Sequence, residues 1–478
     1  MPWSILSETK NNFFINLLCI SKYFNFINMT PQKRIGNWLK NSISAKMITV
    51  GFLILILLIP LGFVDDLIRE RGQRQREVIS EINTKWGEEV IINGPILKVP
   101  YHQYVEEKIY DEKTKTYLKT KNAVRHEAFF FPNELKINSN VTTQPLERGI
   151  YKSVVYTSNS NLKGTFSDLN FSEKEIDVED ILWDKATILY KVSNLKGIRN
   201  TVAINFNNHS YNLKPKFDNA YMNTLESNFI INLEEIQNNS LDFESNITIN
   251  GSNRLQYIPV GKETIVAMQS NWHSPSFNGN FLPNTEGKKI SKNGFEAEWK
   301  VLETNRRFGQ SFFDNLPDLT DFAFGTEFLV PVDDYQKTSR TSKYGFMIIG
   351  LTLLVFLLIQ ISSKIPIHPF QYLMIGLALV LFYTLLISIS EHKNYLFAYV
   401  VSGIAIVSLI TVYSRSILKN TKFTLLILGS MLGLYSFIFV IIQLEDYALL
   451  VGSIGLFAIL ATIMFTSRKI DWSGQLDN

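Results

Sequence analysis

A single cysteine, Cys19, stands in a chain of 478 residues. That excludes an intrachain disulfide framework and a multi-thiolate metal site, and it leaves the large polar middle of the chain with no thiol nucleophile. Ligand-spaced histidines are missing too. His102, His126, His209, His273, His368 and His392 are scattered, and none forms an HExxH-like pair. GxSxG, P-loop and GxGxxG motifs are absent. The net charge is +3 with no Lys/Arg block, so there is no basic track for nucleic-acid phosphates. The sequence implies no cofactor, no metal and no nucleic-acid partner. The carboxylates of "GFEAEW" and "DVED" read as solvated strand and loop acids; the alternative is a hydrolytic pair.

Charge is missing altogether from six apolar runs: 47–64, 344–363, 369–390, 394–414, 423–444 and 447–467. Each is close to the roughly 20 residues that a helix needs to cross a bilayer. In lipid a backbone must bond to itself, so each run is predicted to be a transmembrane helix. The first run is followed by "DDLIRERGQRQR", which has no small-x-small cleavage site, so it reads as an uncleaved signal anchor.

Basic residues then set the orientation. Lys33, Arg34, Lys40 and Lys46 precede the first run, Arg415, Lys419 and Lys422 lie in the loop 414–422, and Arg468 and Lys469 follow the last run. The turn at Glu445–Asp446 has no Lys or Arg, and the loop "EHKN" has one Lys. The positive-inside rule puts both termini in the cytoplasm and residues 65–342 outside it. Tyr344, Tyr395, Tyr447 and Trp472 flank runs as an interfacial belt would. Residues 1–28 fit no element, and Met29 opens a plain basic lead-in. Met29 is thus a candidate start, with 1–28 an over-long reading of the gene.

Residues 65–86 are predicted to form a helical stalk, with Ile68, Gln75, Ile79, Ile82 and Trp86 on one face. From residue 87 the pattern changes to alternation. "GFEAEWKV" puts Phe295, Ala297, Trp299 and Val301 on one side and charges on the other. Several similar runs, punctuated by Gly, Asn and Pro, predict a mostly antiparallel β-sandwich-like domain. Roughly 270 residues suffice to bury a core without disulfides.

The expected layout is a cytoplasmic segment 1–46, an anchor 47–64, a periplasmic β-rich domain 65–342, a five-helix bundle 343–467 and a cytoplasmic tail 468–478. In "NGPILKVPY", Gly94-Pro95 reads as a turn. Pro100 is expected to close a short edge strand, with Lys98 opposite Leu97 and Val99. Trp272 and His273 open a long shaped loop, 271–283, a candidate binding loop. Gly429 and Gly433 make a GxxxG packing signal. Glu391, His392, Glu445 and Asp446 lie at span ends, near where Arg69 and Arg71 leave the membrane. Either these acids are solvated hairpin residues or they form a coupled site with the two arginines.

Taken together, "LLIPLGFVDDLIRERGQRQREVISEINTKWG", "INGPILKVPY", "HSPSFNGNFLP", "GFEAEW", "HPFQYLMIGLALVLFYTLLISISEH" and "QLEDYALLVGSIGLFAILATIMFTSRKIDW" resemble the CreD inner-membrane protein family, from about Lys46 to Trp472. The resemblance implies a bacterial inner-membrane protein linked to envelope integrity and to a two-component sensory regulon. It carries no catalytic residues. Partners would be the bilayer and an unknown envelope component or protein; a transporter, a flippase-like protein or an envelope hydrolase are the alternatives. Oligomeric state is not legible.

Overall fold

The computed structural model describes residues 42–468, apart from 112–115, 168, 172–173, 175, 207–208, 218–221, 231–239, 329–333, 364 and 445–446. Contacts divide the chain into a helical unit, up to Ile68 and from Lys337 onward, and a β unit, Arg69–Gln336.

The helices are α1 (Ile43–Trp86), α2 (Asp334–Lys343), α3 (Gly345–Ser363), α4 (Pro369–Ser390), α5 (Tyr395–Leu418), α6 (Thr421–Gln443) and α7 (Ala448–Ser467). All but α2 are long and apolar enough to cross a membrane, as the uncharged runs predict. Their starts are fixed by side chains that accept the orphan backbone donors of a first turn. Asn394 accepts from Phe397 N–H at 3.0 Å and Asn420 from Lys422 N–H at 2.9 Å. His368 Nδ1 accepts from Phe370 N–H at 3.2 Å, ahead of Pro369 at the first helical position.

Glycines set how closely the spans approach, but not the expected pair. A Cβ at Gly376 would collide with Leu57, one at Gly345 with Leu61, and one at Gly455 with Phe437. No described residue lies within 4 Å of a Cβ at Gly429 or Gly433. The GxxxG expectation is therefore corrected: those glycines leave space, and close packing occurs where a large side chain fills a single glycine's notch. Four tyrosines, Tyr383, Tyr395, Tyr399 and Tyr435, cluster with Phe382 between α4, α5 and α6. Tyr399 donates to the Tyr435 carbonyl at 2.7 Å, and Tyr395 bonds Thr341 Oγ1 at 2.7 Å.

Among the described residues, sixteen strands build the β unit. They are β1 (Val90–Asp111), β2 (Thr116–Phe130), β3 (Glu134–Arg148), β4 (Tyr151–Phe166), β5 (Thr187–Val192), β6 (Ala203–Phe206), β7 (His209–Lys216) and β8 (Asn223–Ser227). The second half has β9 (Leu241–Ser252), β10 (Arg254–Tyr257), β11 (Glu263–Ser270), β12 (Pro275–Gly279), β13 (Lys289–Ser291), β14 (Gly294–Leu302), β15 (Ser311–Phe313) and β16 (Phe324–Phe328). The order is β12-β16-β10-β1-β5-β8-β7-β6-β9-β4-β3-β11-β14-β13, with β2 beside β1 and β15 beside β2. Among the described pairings only β1–β10 and β3–β11 are parallel, so the sheet is mostly antiparallel, as expected.

Strand β7 pairs with β6 on one side and β8 on the other, which joins two layers over one apolar core. The sheet curls until its ends meet: Phe277 of β12 packs edge-on against Phe295 and Trp299 of β14, at 5.6 and 5.7 Å between ring centroids. Inside the core lies a closed polar ring. Ser139 and Ser158 are 3.1 Å apart, Ser158 and Ser160 2.9 Å, Ser160 and the Tyr257 hydroxyl 2.7 Å, and that hydroxyl donates to Ser139 at 3.0 Å. Buried hydroxyls that satisfy one another cost little, whereas a slipped register would orphan all four.

Two local expectations are corrected in β1. Gly94-Pro95 is not a turn between elements. It is a bulge inside the strand, where pairing with β5 shifts between Asn93 and Ile96. Gly94 sits at φ +130°, and a Cβ there would press on Leu189 and Tyr190. Pro100 does not close an edge strand either, because β1 continues to Asp111 and pairs with β2 throughout. The Pro100 carbonyl accepts from Leu182 N–H at 2.9 Å, so its nitrogen faces that side too. Pairing with β5 has already ended at Lys98, so no ladder bond to β5 is lost, and the nitrogen faces away from β2.

Candidate functional site

Few of the residues that the sequence singles out are brought together. Trp272 and His273 are neighbours whose rings lie 5.1 Å apart; the indole N–H donates to the Ser274 carbonyl at 3.0 Å. Their segment is not all loop, since residues 275–279 form β12. Arg69 and Arg71 are exposed on α1 in the β unit. Glu391 caps α4, its N–H reaching Ile387 O at 3.1 Å, and His392 is exposed in the same turn of the helical unit. Glu445 and Asp446 lie outside the described residues, as do Trp472 and residues 1–28.

Among the described residues, no group of three or more His, Cys, Asp or Glu side chains is placed to hold a metal ion. Among the described residues, His126 and Asp314 form a His–Asp pair. His126 Nδ1 lies 2.6 Å from Asp314 Oδ1, and Tyr101 donates to the same oxygen at 3.4 Å. The Tyr101 and His126 rings stack at 5.5 Å, with Phe171 and Phe313 edge-on to Tyr101. Burial, then the Asp314 charge, pushes the Tyr101 phenol up to about 12, so it stays a hydrogen-bond donor at neutral pH.

The broadest feature is the outer face of the second layer. Directly paired residues point to the same side of a sheet, so register alone defines rows across it. One row runs Thr248, Asn159, Asn140, Gln269, Glu296, Lys289 through β9, β4, β3, β11, β14 and β13. Its neighbour, two residues along each strand, runs Asn246, Asn161, Asn138, Ala267, Glu298. A third holds Glu244, Lys163 and Lys136, with Lys163 3.0 Å from Glu244.

Two grooves open on this face. The first, about 500 Å³, is lined by Asn140, Gln269, Asn271, Ser291, Asn293 and the Lys289–Glu296 pair at 3.7 Å. The second, about 780 Å³, is lined by charged and polar groups including Glu134, Lys136, Lys163, Asp242 and His209. Sequence reasoning passed over these rows, although their signal is present. "NSN" occurs at 138–140 and again at 159–161, with the serine facing the core ring and both asparagines facing out.

In the helical unit, α3, α6 and α7 border an open apolar groove of about 440 Å³ lined by Leu351, Val355, Leu434, Phe437 and Ile459, among others. The buried hydroxyl of Thr352, which has no hydrogen-bond partner among the described residues, also lines it.

The sequence of residues 42–473 matches the family described as inner membrane protein CreD. The chain belongs to the CreD family. Inner membrane protein CreD of Escherichia coli (strain K12) is 28% identical over 443 residues, which cover 91% of this chain and 94% of that protein. Six apolar helices and membership of an inner-membrane family make this CreD-family chain a multi-pass inner-membrane protein.

Proposed function

We propose that this CreD-family protein supports the bacterial cell envelope by holding its β unit in the periplasm, where it binds an envelope component without catalysis. Both termini then lie in the cytoplasm, following the basic loops. The observation that carries the reading is the outer face of the second layer: rows of polar side chains, amides above all, with a few charged groups among them, which suit recognition more than bond cleavage. Orientation has a direct test. Reporter fusions at residue 418 and at the C-terminus should be active in the cytoplasmic form, and fusions at 200 in the periplasmic form. An external signal at 418 would overturn the arrangement. The binding role is tested by complementation: a strain lacking the protein should not be rescued by a chain without residues 87–328.

The apolar groove among α3, α6 and α7 favours a second reading, a flippase-like protein that handles a lipid of the envelope. Retained complementation by chains with Gly433→Leu, which fills that groove, would remove it.

A further inference from the structure

We infer that the outer face of the second β layer is a binding site for a neutral, polyhydroxylated glycan chain, seated across the amide rows and ending in the groove beside Lys289 and Glu296. This rests on the reading that the β unit binds an envelope component, and it names the ligand's chemistry.

Hydrogen-bonding capacity comes first. Asn138, Asn140, Asn159, Asn246 and Gln269 occupy consecutive strands on one face. Among the described residues none of these five amides bonds another protein group through its side chain, while Asn161 donates to Glu244 at 2.9 Å. Each primary amide offers two donors and an acceptor, which matches a sugar hydroxyl's own donor and acceptor.

The rows also repeat. Adjacent strands bring Asn159, Asn140 and Gln269 to the same height at intervals of about 4.8 Å, an amide track of about 10 Å within a six-residue polar row of about 24 Å. A linear polymer of similar units can use such a track; a small molecule would use only a part of it.

Charge then narrows the class. In the first groove the lining cation, Lys289, is paired with Glu296, and the other lining groups named above are neutral. On the flank, Lys163 is paired with Glu244. A polyanion would need cations left over, as nucleic-acid and phosphate sites have. An apolar or protein partner would want an apolar centre on the patch, and the two amide rows contribute only the half-buried Ala267. Trp272 directly follows the groove-lining Asn271. Its ring packs partly on the core and lies 5.1 Å from the His273 ring, so the pair forms an aromatic edge beside the groove.

The full-length protein in lipid nanodiscs is titrated with chitohexaose, a neutral amino-sugar hexamer, and with heparin as a polyanion. Saturable chitohexaose binding that is insensitive to added salt is expected, since a neutral partner releases no counterions. Asn140→Ala with Gln269→Ala should weaken it about tenfold or more, for two lost neutral hydrogen bonds. Both sites are exposed, so the melting temperature should not change. Absence of chitohexaose binding, a preference for heparin, or equal affinity in the double variant would each overturn the inference. Crosslinking in native membranes separates the two levels. An envelope component captured on a chain that ignores chitohexaose overturns the ligand class alone. Full complementation by a chain without residues 87–328 overturns the binding role itself.

Discussion

An ammonium group taken out of water needs carboxylates within reach, and Lys98 has two. It is 5% exposed and pairs with Glu226 and, at 3.5 Å, with Glu127. Glu226 also takes Lys216 at 2.5 Å and the Thr187 hydroxyl at 2.8 Å. Burial alone would push the Glu226 carboxyl up, but Lys216 and Lys98 outweigh it and hold the group below the ordinary carboxylate range. Its contribution to stability is therefore present in full above about pH 4.3, the unfolded value, and is lost as pH falls through the lower folded value. Lys98→Ala should destabilise the β unit by on the order of 3 kcal/mol, because it leaves Glu127 and Glu226 short of a partner. The loss of stability on acidification should also become shallower, which denaturant titrations at several pH values will read. None of this was legible in "NGPILKVPY". Alternation separates Lys98 from Leu97 and Val99, but it does not say whether the second face of a strand is covered.

At the scale of elements, α1 shows how far periodicity reaches. A helix through residues 65–86 is legible from the spacing of its apolar residues, and the observed helix is continuous from Ile43 to Trp86. Its packing face is turned slightly from the expected one. Val78 and Ile82 bury against Val155, with Trp86, Leu146 and Tyr151 at the margin, while Ile79 is half-exposed. The contact is with the β3–β4 hairpin, whose position no local pattern encodes. Polar groups finish it. Ser153 donates to Asn83 Oδ1 at 2.6 Å, the Trp86 indole N–H donates to the Tyr156 carbonyl at 3.3 Å, and Arg148 pairs with Glu81. Arg148 first, then Lys85 at 2.7 Å, draws the Glu81 carboxyl down to about 2. Val78→Asp with Ile82→Asp should free residues 75–86 from the hairpin, raising their amide exchange while β11 and β14 stay protected. Unchanged exchange in the helix would show that the polar ties suffice. The amide rows fail to announce themselves for a related reason. Each "NSN" is an ordinary exposed alternation until register sets one beside the other.

For the whole molecule, what depends on composition was legible and what depends on pairing was not. Uncharged runs of the right length predict all six spans, because a bilayer selects on hydropathy alone. Alternation predicts a β-rich, mostly antiparallel unit, but not an order in which β1 sits beside β10 and β5, since those partners are remote in sequence. Expressed alone, residues 69–336 should give a β-dominated circular dichroism spectrum and a melting temperature indifferent to reductant, because the chain's single cysteine is Cys19. A helix-dominated spectrum would contradict the fold.

The same strand order bears on how the chain must be made. The first strand and the last are built into the same layer: β16 is held between β12 and β10, and β10 lies against β1. A ribosome delivers β1 early and β16 more than two hundred residues later. Until Phe324–Phe328 has emerged, β10 and β12 each carry a bare edge, the kind of surface that invites wrong partners. Nascent β units thus carry these edges from the emergence of β10 until β16 follows about seventy residues later, and a chain arrested in that interval keeps them open.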